Sequence, residues 1–192
     1  MPEHAEATPD QEQFIELRKK IAWICHAVRF SALGYAVWLL YALIVYWTNI
    51  ETINSGYGRL LNRDLSGMAQ WQQALALGVH LVIWAFAAIA CHSAWRLFSG
   101  FLTGQIFTLG AALALRRIAL FGAISQILDI VTRPLMSVIL TLHFPAGQQM
   151  RIVNLFFRPE DLVLLLLLFA LLAFAHIQKT AAQIAGEHAQ FV

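Results

Sequence analysis

The sequence predicts an all-α integral membrane protein, a four-helix bundle preceded by an amphipathic helix. Four apolar stretches, at about 31–48, 74–98, 118–142 and 162–177, fill most of the 192 residues. A helix of about 20 predominantly apolar residues crosses a hydrocarbon core of about 30 Å. Hydrophobic residues make up 59% and charged residues 12%, against roughly 45–50% and 25% in soluble domains, so the solvent is lipid. The short connections leave no room for a soluble catalytic module. Residues 11–192 therefore read as one transmembrane domain behind a disordered tail at 1–10.

The basic residues orient the chain. Arg18, Lys19, Lys20 and Arg29 precede the first span, Arg96, Arg116 and Arg117 flank the middle connection, and Lys179 follows the last span. Arg59, Arg63, Arg151 and Arg158 fall on the opposite side. The bias puts both termini in the cytoplasm, in agreement with an even number of spans. A net charge of +2 is too mild to indicate nucleic acid. The N-terminal dozen residues are polar and acidic and no small-residue cleavage pattern follows, so the first span is expected to be an uncleaved anchor. Cys25 and Cys91 form no Cys-x-x-Cys pair and read as small apolar fillers.

Each element has its own reason. In 11–28, Phe14, Leu17, Ile21, Ile24 and Val28 recur at steps of three and four, with Glu16, Arg18, Lys19 and Lys20 on other faces. That is an amphipathic helix lying on the cytoplasmic surface or running into the first span, with a partner-binding coiled-coil seam as its sharper reading. Tyr46 and Trp47 suit the outer interface. The loop 49–73 is rich in turn formers, Asn54, Gly56, Gly58 and Gly67, and Trp71 marks re-entry. The second span carries Ala87, Ala90, Cys91 and Ala94 at spacings that permit close helix approach, and leaves the membrane at Trp95 and Arg96. Thr108 is placed to cap a third helix at about 109–143, which at about 50 Å exceeds the bilayer and should project into the cytoplasm. The outer loop 144–160 contains 150–157, whose β-branched and aromatic residues after Ala146 and Gly147 suggest a short strand or hairpin arm. The fourth span is the most lipid-like, and 180–192 continues as a polar helical tail. There is no internal repeat, the usual pointer to an inverted-repeat transporter.

Asp129 and Arg133 are the polar residues of greatest interest, together with Gln126. If Arg117 and His143 bound the third span, the pair falls near its midplane, where an ionised group costs at least about 2.5–3.5 kcal/mol. One turn apart, the two can neutralise each other, and no second span offers a matching charge. Pro134 removes an amide donor and should free a carbonyl near Ile130 for the guanidinium. Ser125, Thr132 and Tyr41 would complete a polar cluster. Such a pair serves as a packing device or as an ion relay, ligand clamp or hinge.

Histidines form a second constellation. His80 and His143 fall near the outer ends of their spans, while His92 and His176 fall near the inner ends. Two stacked bis-His haem b sites in a bundle would use such positions. Against this, the twelve residues from His80 to His92 leave about 120° of rotation, so one interior could hardly receive both. No phosphate loop, His-Glu-x-x-His or Gly-x-Ser-x-Gly occurs, and no two carboxylates are close to each other within the spans. An enzyme and a resident metal are not expected.

Gly104, Gln105, Ile106, Phe107 and Thr108, followed by Leu115, Arg116, Arg117 and Ile118, resemble the turn and helix start of bacterial proteins grouped as domain of unknown function 2975. The tail from Ala185 to Phe191 and Val192 is similar to that family's ending, with His188 where Asn is more usual. The likeness covers about 98–192. It implies a four-span protein of a bacterial inner membrane and carries over no catalytic residue. The expectation is a non-enzymatic membrane protein acting through partners: a cytoplasmic regulator, a larger membrane complex or a second copy of itself. The alternative is a haem-binding electron carrier or a small ion- or proton-coupled transporter.

Overall fold

A computed structural model describes residues 9–106, 108–145, 147–149 and 157–188, with side chains described from 22 to 184 within those ranges. The chain begins with α1 (Pro9–Thr48), one continuous helix of 40 residues. Three short helical pieces follow: α2 (Ile50–Ile53), a π-helical turn (Asn54–Gly58) and α3 (Arg59–Leu61). Then come α4 (Gln70–Leu102), α5 (Leu109–Thr141) and α6 (Pro159–His188). No strand occurs among the described residues; the strand arm expected in 150–157 falls, at 150–156, outside them.

Four segments are long and apolar enough to cross a bilayer: Ala22–Thr48, Gln70–Leu102, Leu109–Thr141 and Pro159–Ile184. The chain is thus an all-α, multi-pass membrane protein. Each segment is longer than the apolar run that announced it. Hydropathy marks the lipid-facing middle, whereas capping groups decide where a helix stops. Asn49 Oδ1 accepts from the amides of Glu51 and Thr52 at 2.9 and 3.3 Å and starts α2. Thr108 Oγ1 accepts from the Ala111 amide at 3.2 Å and starts α5, as its position predicts. Pro159 opens α6, with Glu160 and Asp161 in its first turn, where Pro costs no hydrogen bond and acids face the positive end of the helix dipole. The helix read at 11–28 is the first part of α1, and α1 already begins at Pro9.

α4 and α5 pair at the centre, α1 packs on α4, and α6 packs on α5. Two cores hold the ends. At the loop end, Trp47 of α1, Ala76 of α4 and Met136, Ile139 and Leu140 of α5 enclose Ile53, Leu65 and Met68 from the first loop. At the end bearing the termini, Leu97, Ala111, Leu115 and Ala175 close against one another. In lipid, helix association rests on packing and interhelical hydrogen bonds, each bond worth about 0.6 kcal/mol on average. Every neighbouring pair has one. Trp84 Nε1 donates to the Ala36 carbonyl at 2.9 Å, linking α4 to α1. Gln72 Nε2 donates to the Ile139 carbonyl at 2.6 Å and Ser125 Oγ to the Ile83 carbonyl at 3.2 Å, linking α4 and α5. Between α5 and α6, Gly122 admits Leu168 so closely that a Cβ would stand 2.8 Å from its Cδ2. Among the described side chains of α1 only Cys25 and Trp47 are buried, so most of that helix is left to lipid.

The first loop is not the string of turns that its Asn and Gly content suggests. It folds into a cap over the loop end, because Ile53 and Leu65 have a hydrophobic core to enter. At the water boundary such burial stabilises by about 1.5–3 kcal/mol per large aliphatic side chain. Asn54 ties the cap together: its Oδ1 accepts from the Leu65 amide at 3.0 Å, and its Nδ2 donates to Asp64 Oδ1 at 3.1 Å. A Cβ at Gly58 would stand 2.2 Å from Asn54 Oδ1 and 2.9 Å from the Arg63 carbonyl oxygen. Gly58→Ala is therefore expected to destabilise the protein by about 1–3 kcal/mol. A thermal melt in detergent checks this against Gly34→Ala, which meets nothing within 4 Å and should leave the midpoint in place.

Candidate functional site

The polar cluster is built by α5 and closed by α6. Asp129 and Arg133 lie one turn apart on α5, and Arg133 donates to Asp129 Oδ2 from Nε at 3.1 Å and from Nη2 at 2.6 Å. The pair is not self-contained. Arg133 Nη1 donates to Asp161 Oδ2 at 2.5 Å and Nη2 to Asp161 Oδ1 at 2.8 Å, a two-pronged grip on a carboxylate of the next span. Gln126 Nε2 donates to the same Asp161 Oδ1 at 2.8 Å, and the Arg158 amide donates to Oδ2 at 2.9 Å. Side-chain exposure grades the three charges: 5% for Asp161, 16% for Arg133 and 38% for Asp129.

Several expectations are corrected here. A second span does supply a matching charge, and two carboxylates do meet within the spans. Asp161 was missed because it stands just before the apolar run at 162–177. The signal that finds it is the Pro159-Glu160-Asp161 helix start, which puts Asp161 inside the fourth span's first turn. Along α5 the cluster lies in the half of the helix nearer the loop end. α5 begins at Leu109 and ends at Thr141, so Arg133 lies about 12 Å from the helix centre at 1.5 Å per residue. That depth shortens the path of the charges to water. Among the described residues the guanidinium's hydrogen bonds go to carboxylates, and the carbonyl near Ile130 is not among their acceptors. Tyr41, 67% exposed, turns away from the cluster. Ser125 bonds to α4, and Thr132 is buried.

A cavity of about 580 Å³ adjoins the cluster, lined among others by Tyr46, Tyr57, Asp129, Arg133, Ser137 and Arg158. The π-helical turn puts Tyr57 at its rim, and a Cβ at Gly56 would stand 2.2 Å from the Tyr46 hydroxyl. π-Helical turns are rare and recur at functional sites. Burial, then the neighbouring Tyr46 and Asp129, push the Tyr57 phenol up to about 12, against the pull of Arg133 and Arg158. The arrangement thus pins α5 to α6 and presents the partly exposed carboxylate of the cluster, Asp129, to a half-open space with aromatic and cationic walls.

The histidines are scattered. His80 Nδ1 pairs with the Ala76 carbonyl at 2.8 Å while its ring lies 4.9 Å from that of Trp47. The His143 ring lies 4.1 Å from that of Phe144, with its Nδ1 enclosed and without a hydrogen-bond partner among the described residues. His92 is exposed and borders an apolar cavity of about 560 Å³ between α1 and α4, which no second histidine lines. His176 is exposed. Among the described residues no three His, Cys, Asp or Glu side chains gather as a metal site.

Removing one partner of a buried ion pair costs about 3–5 kcal/mol, because the other charge stays behind. Arg133→Gln should therefore destabilise by about that amount and Asp161→Asn by less, while Asp129→Asn should cost about 1 kcal/mol or below. Unfolding in detergent gives the order, and equal losses at all three positions would contradict it. Because the Tyr57 pKa is raised on folding, the stabilisation from keeping the phenol neutral is complete below about 10 and is lost as pH rises toward about 12. Tyr57→Phe should flatten that alkaline decline in melting temperature.

Compared with family models, with curated proteins and with solved structures, the chain matches none.

Proposed function

We propose that this is a non-enzymatic protein of a bacterial inner membrane that senses at its loop-end cavity and acts through a protein partner in the cytoplasm. One observation carries the reading. α1 is a single uninterrupted helix whose last turns supply Tyr46 to the cavity and Trp47 to the core beneath the cap. Its first residues, 9–21, precede the membrane-spanning segment by about 20 Å of helix. A rod with no Pro beyond its first residue and no break transmits rotation or tilt from one end to the other. The basic residues at 18–20 favour the cytoplasm for the projecting end. The stripe from Phe14 to Val28 gives that end an apolar face for a partner helix.

The experiment is a detergent pull-down of the full chain from its native membrane. A stoichiometric cytoplasmic partner is expected, and deletion of 11–20 should release it. Recovery of the same partner without that segment would overturn the reading.

A second reading has support in the partly exposed carboxylate of Asp129 beside a cavity: ion- or proton-coupled transport, in which Asp129 takes up the ion. There Asp129→Asn should abolish a coupled flux in proteoliposomes while the helical content stays intact.

A further inference from the structure

At the opposite end of the bundle, where α4 hands over to α5, lies a cavity of about 280 Å³ whose lining includes Arg96, Gln105, Thr108, Gly110 and Arg117. The backbone builds it. α4 ends at Leu102 with Thr103 as its C-cap, and Gly104, at φ +84°, reverses the chain. The Gln105 amide donates to the Gly100 carbonyl at 3.0 Å and the Gly104 amide to the Phe101 carbonyl at 3.1 Å, a closed C-terminal cap that fixes the turn. Thr108 then starts α5. The turn at 104–108 and the segment at 115–118, distinctive in the sequence for their motif, meet at this cavity.

Its electrostatics are one-sided. Arg96 comes from α4 and Arg117 from α5, so two exposed arginines from two helices line one small space. No Asp or Glu occurs between Asp64 and Asp129, so neither the flanking helices nor the turn supplies a counter-charge. Among the described residues neither arginine has an ion-pair partner; the salt bridges there join Arg133 to Asp129 and Asp161. Gly110 and Ala111, in the first turn of the 33-residue α5, add the positive end of a helix dipole to the same wall. Gly110 has no side chain to block access to that backbone. An anion held between them would interact with two cations at once.

We propose that this cavity binds a phosphate group, with Arg96 and Arg117 as the clamp and the start of α5 as the floor. Arginine suits it because its planar fork donates two parallel hydrogen bonds to phosphate oxygens. The cavity is smaller than the roughly 300–1,000 Å³ of sites for whole drug-sized ligands, so it admits a phosphate with little attached to it. Trp95 and Arg96 together mark the membrane boundary, the depth at which lipid phosphates lie, and basic pockets between spans bind anionic headgroups. The phosphate belongs either to an anionic lipid or to a soluble phosphate compound. The proposal does not depend on the partner reading given above.

The test is a thermal-stability titration of the full chain in neutral detergent with short-chain phosphatidylglycerol, phosphatidylcholine of the same chain length, and inorganic phosphate. A saturable rise in melting temperature with phosphatidylglycerol that exceeds the phosphatidylcholine response supports the site and assigns a lipid. A rise with inorganic phosphate alone supports it and assigns a soluble source. In Arg96→Gln/Arg117→Gln the half-saturating concentration should rise by at least about tenfold, the loss of one or more charge-assisted bonds. Arg116→Gln makes the same charge change as Arg117→Gln on a residue that does not line the cavity, and should leave binding unchanged. Should the double variant fail to fold, Arg117→Gln alone gives the same comparison at a smaller fold-change. No response to phosphatidylglycerol or phosphate overturns the proposal. So does an equal loss in Arg116→Gln, which would mean a diffuse basic surface.

Discussion

The Arg133 guanidinium carries the architecture at the loop end, because it is shared by Asp129 on its own helix and Asp161 on the next. In a hydrocarbon medium neither carboxylate could stay ionised alone at acceptable cost, and neither could the arginine. Bound together, each charge has a partner of opposite sign, and Gln126 and the Arg158 amide also donate to Asp161. The geometry permits little slack. A slide of α6 along α5 by one residue, about 1.5 Å, would break the two-pronged grip. The network therefore fixes the register of two spans whose remaining contacts are aliphatic and tolerant of sliding. Buried ionic groups of this kind contribute more to specificity than to stability.

Around that latch the two ends of the bundle are built differently. The loop end is covered by a small folded cap with its own core, a rare π-helical turn and a cavity in which acidic and basic groups face each other. The other end has a tight, capped turn and a cavity lined by arginines with no acid in the intervening sequence. A membrane protein with such asymmetry offers distinct chemistry to its two aqueous faces. α1 connects them as one rod, and among its described side chains only Cys25 and Trp47 are buried.

The lipid solvent, the number of spans, the Thr108 cap and the pairing of Asp129 with Arg133 were legible in the sequence, because each depends on residues close together in the chain. Twenty apolar residues need only each other to declare a span, and an acid one turn before an arginine needs only a helix to meet it. Asp161, Tyr46 and Tyr57 were not legible as members of the site. Their roles arise from contacts across 28 residues in one case and from a loop folded onto a core in the others. Turn-forming residues such as Asn54 and Gly58 state that a chain bends; whether the bend packs depends on the apolar surface beneath it, here Trp47, Met136 and Leu140. By itself, then, the sequence determined the medium and the local helical chemistry. Only the tertiary structure decided which charges share a partner, because that depends on the rotation and register of helices about one another, which local periodicity leaves free.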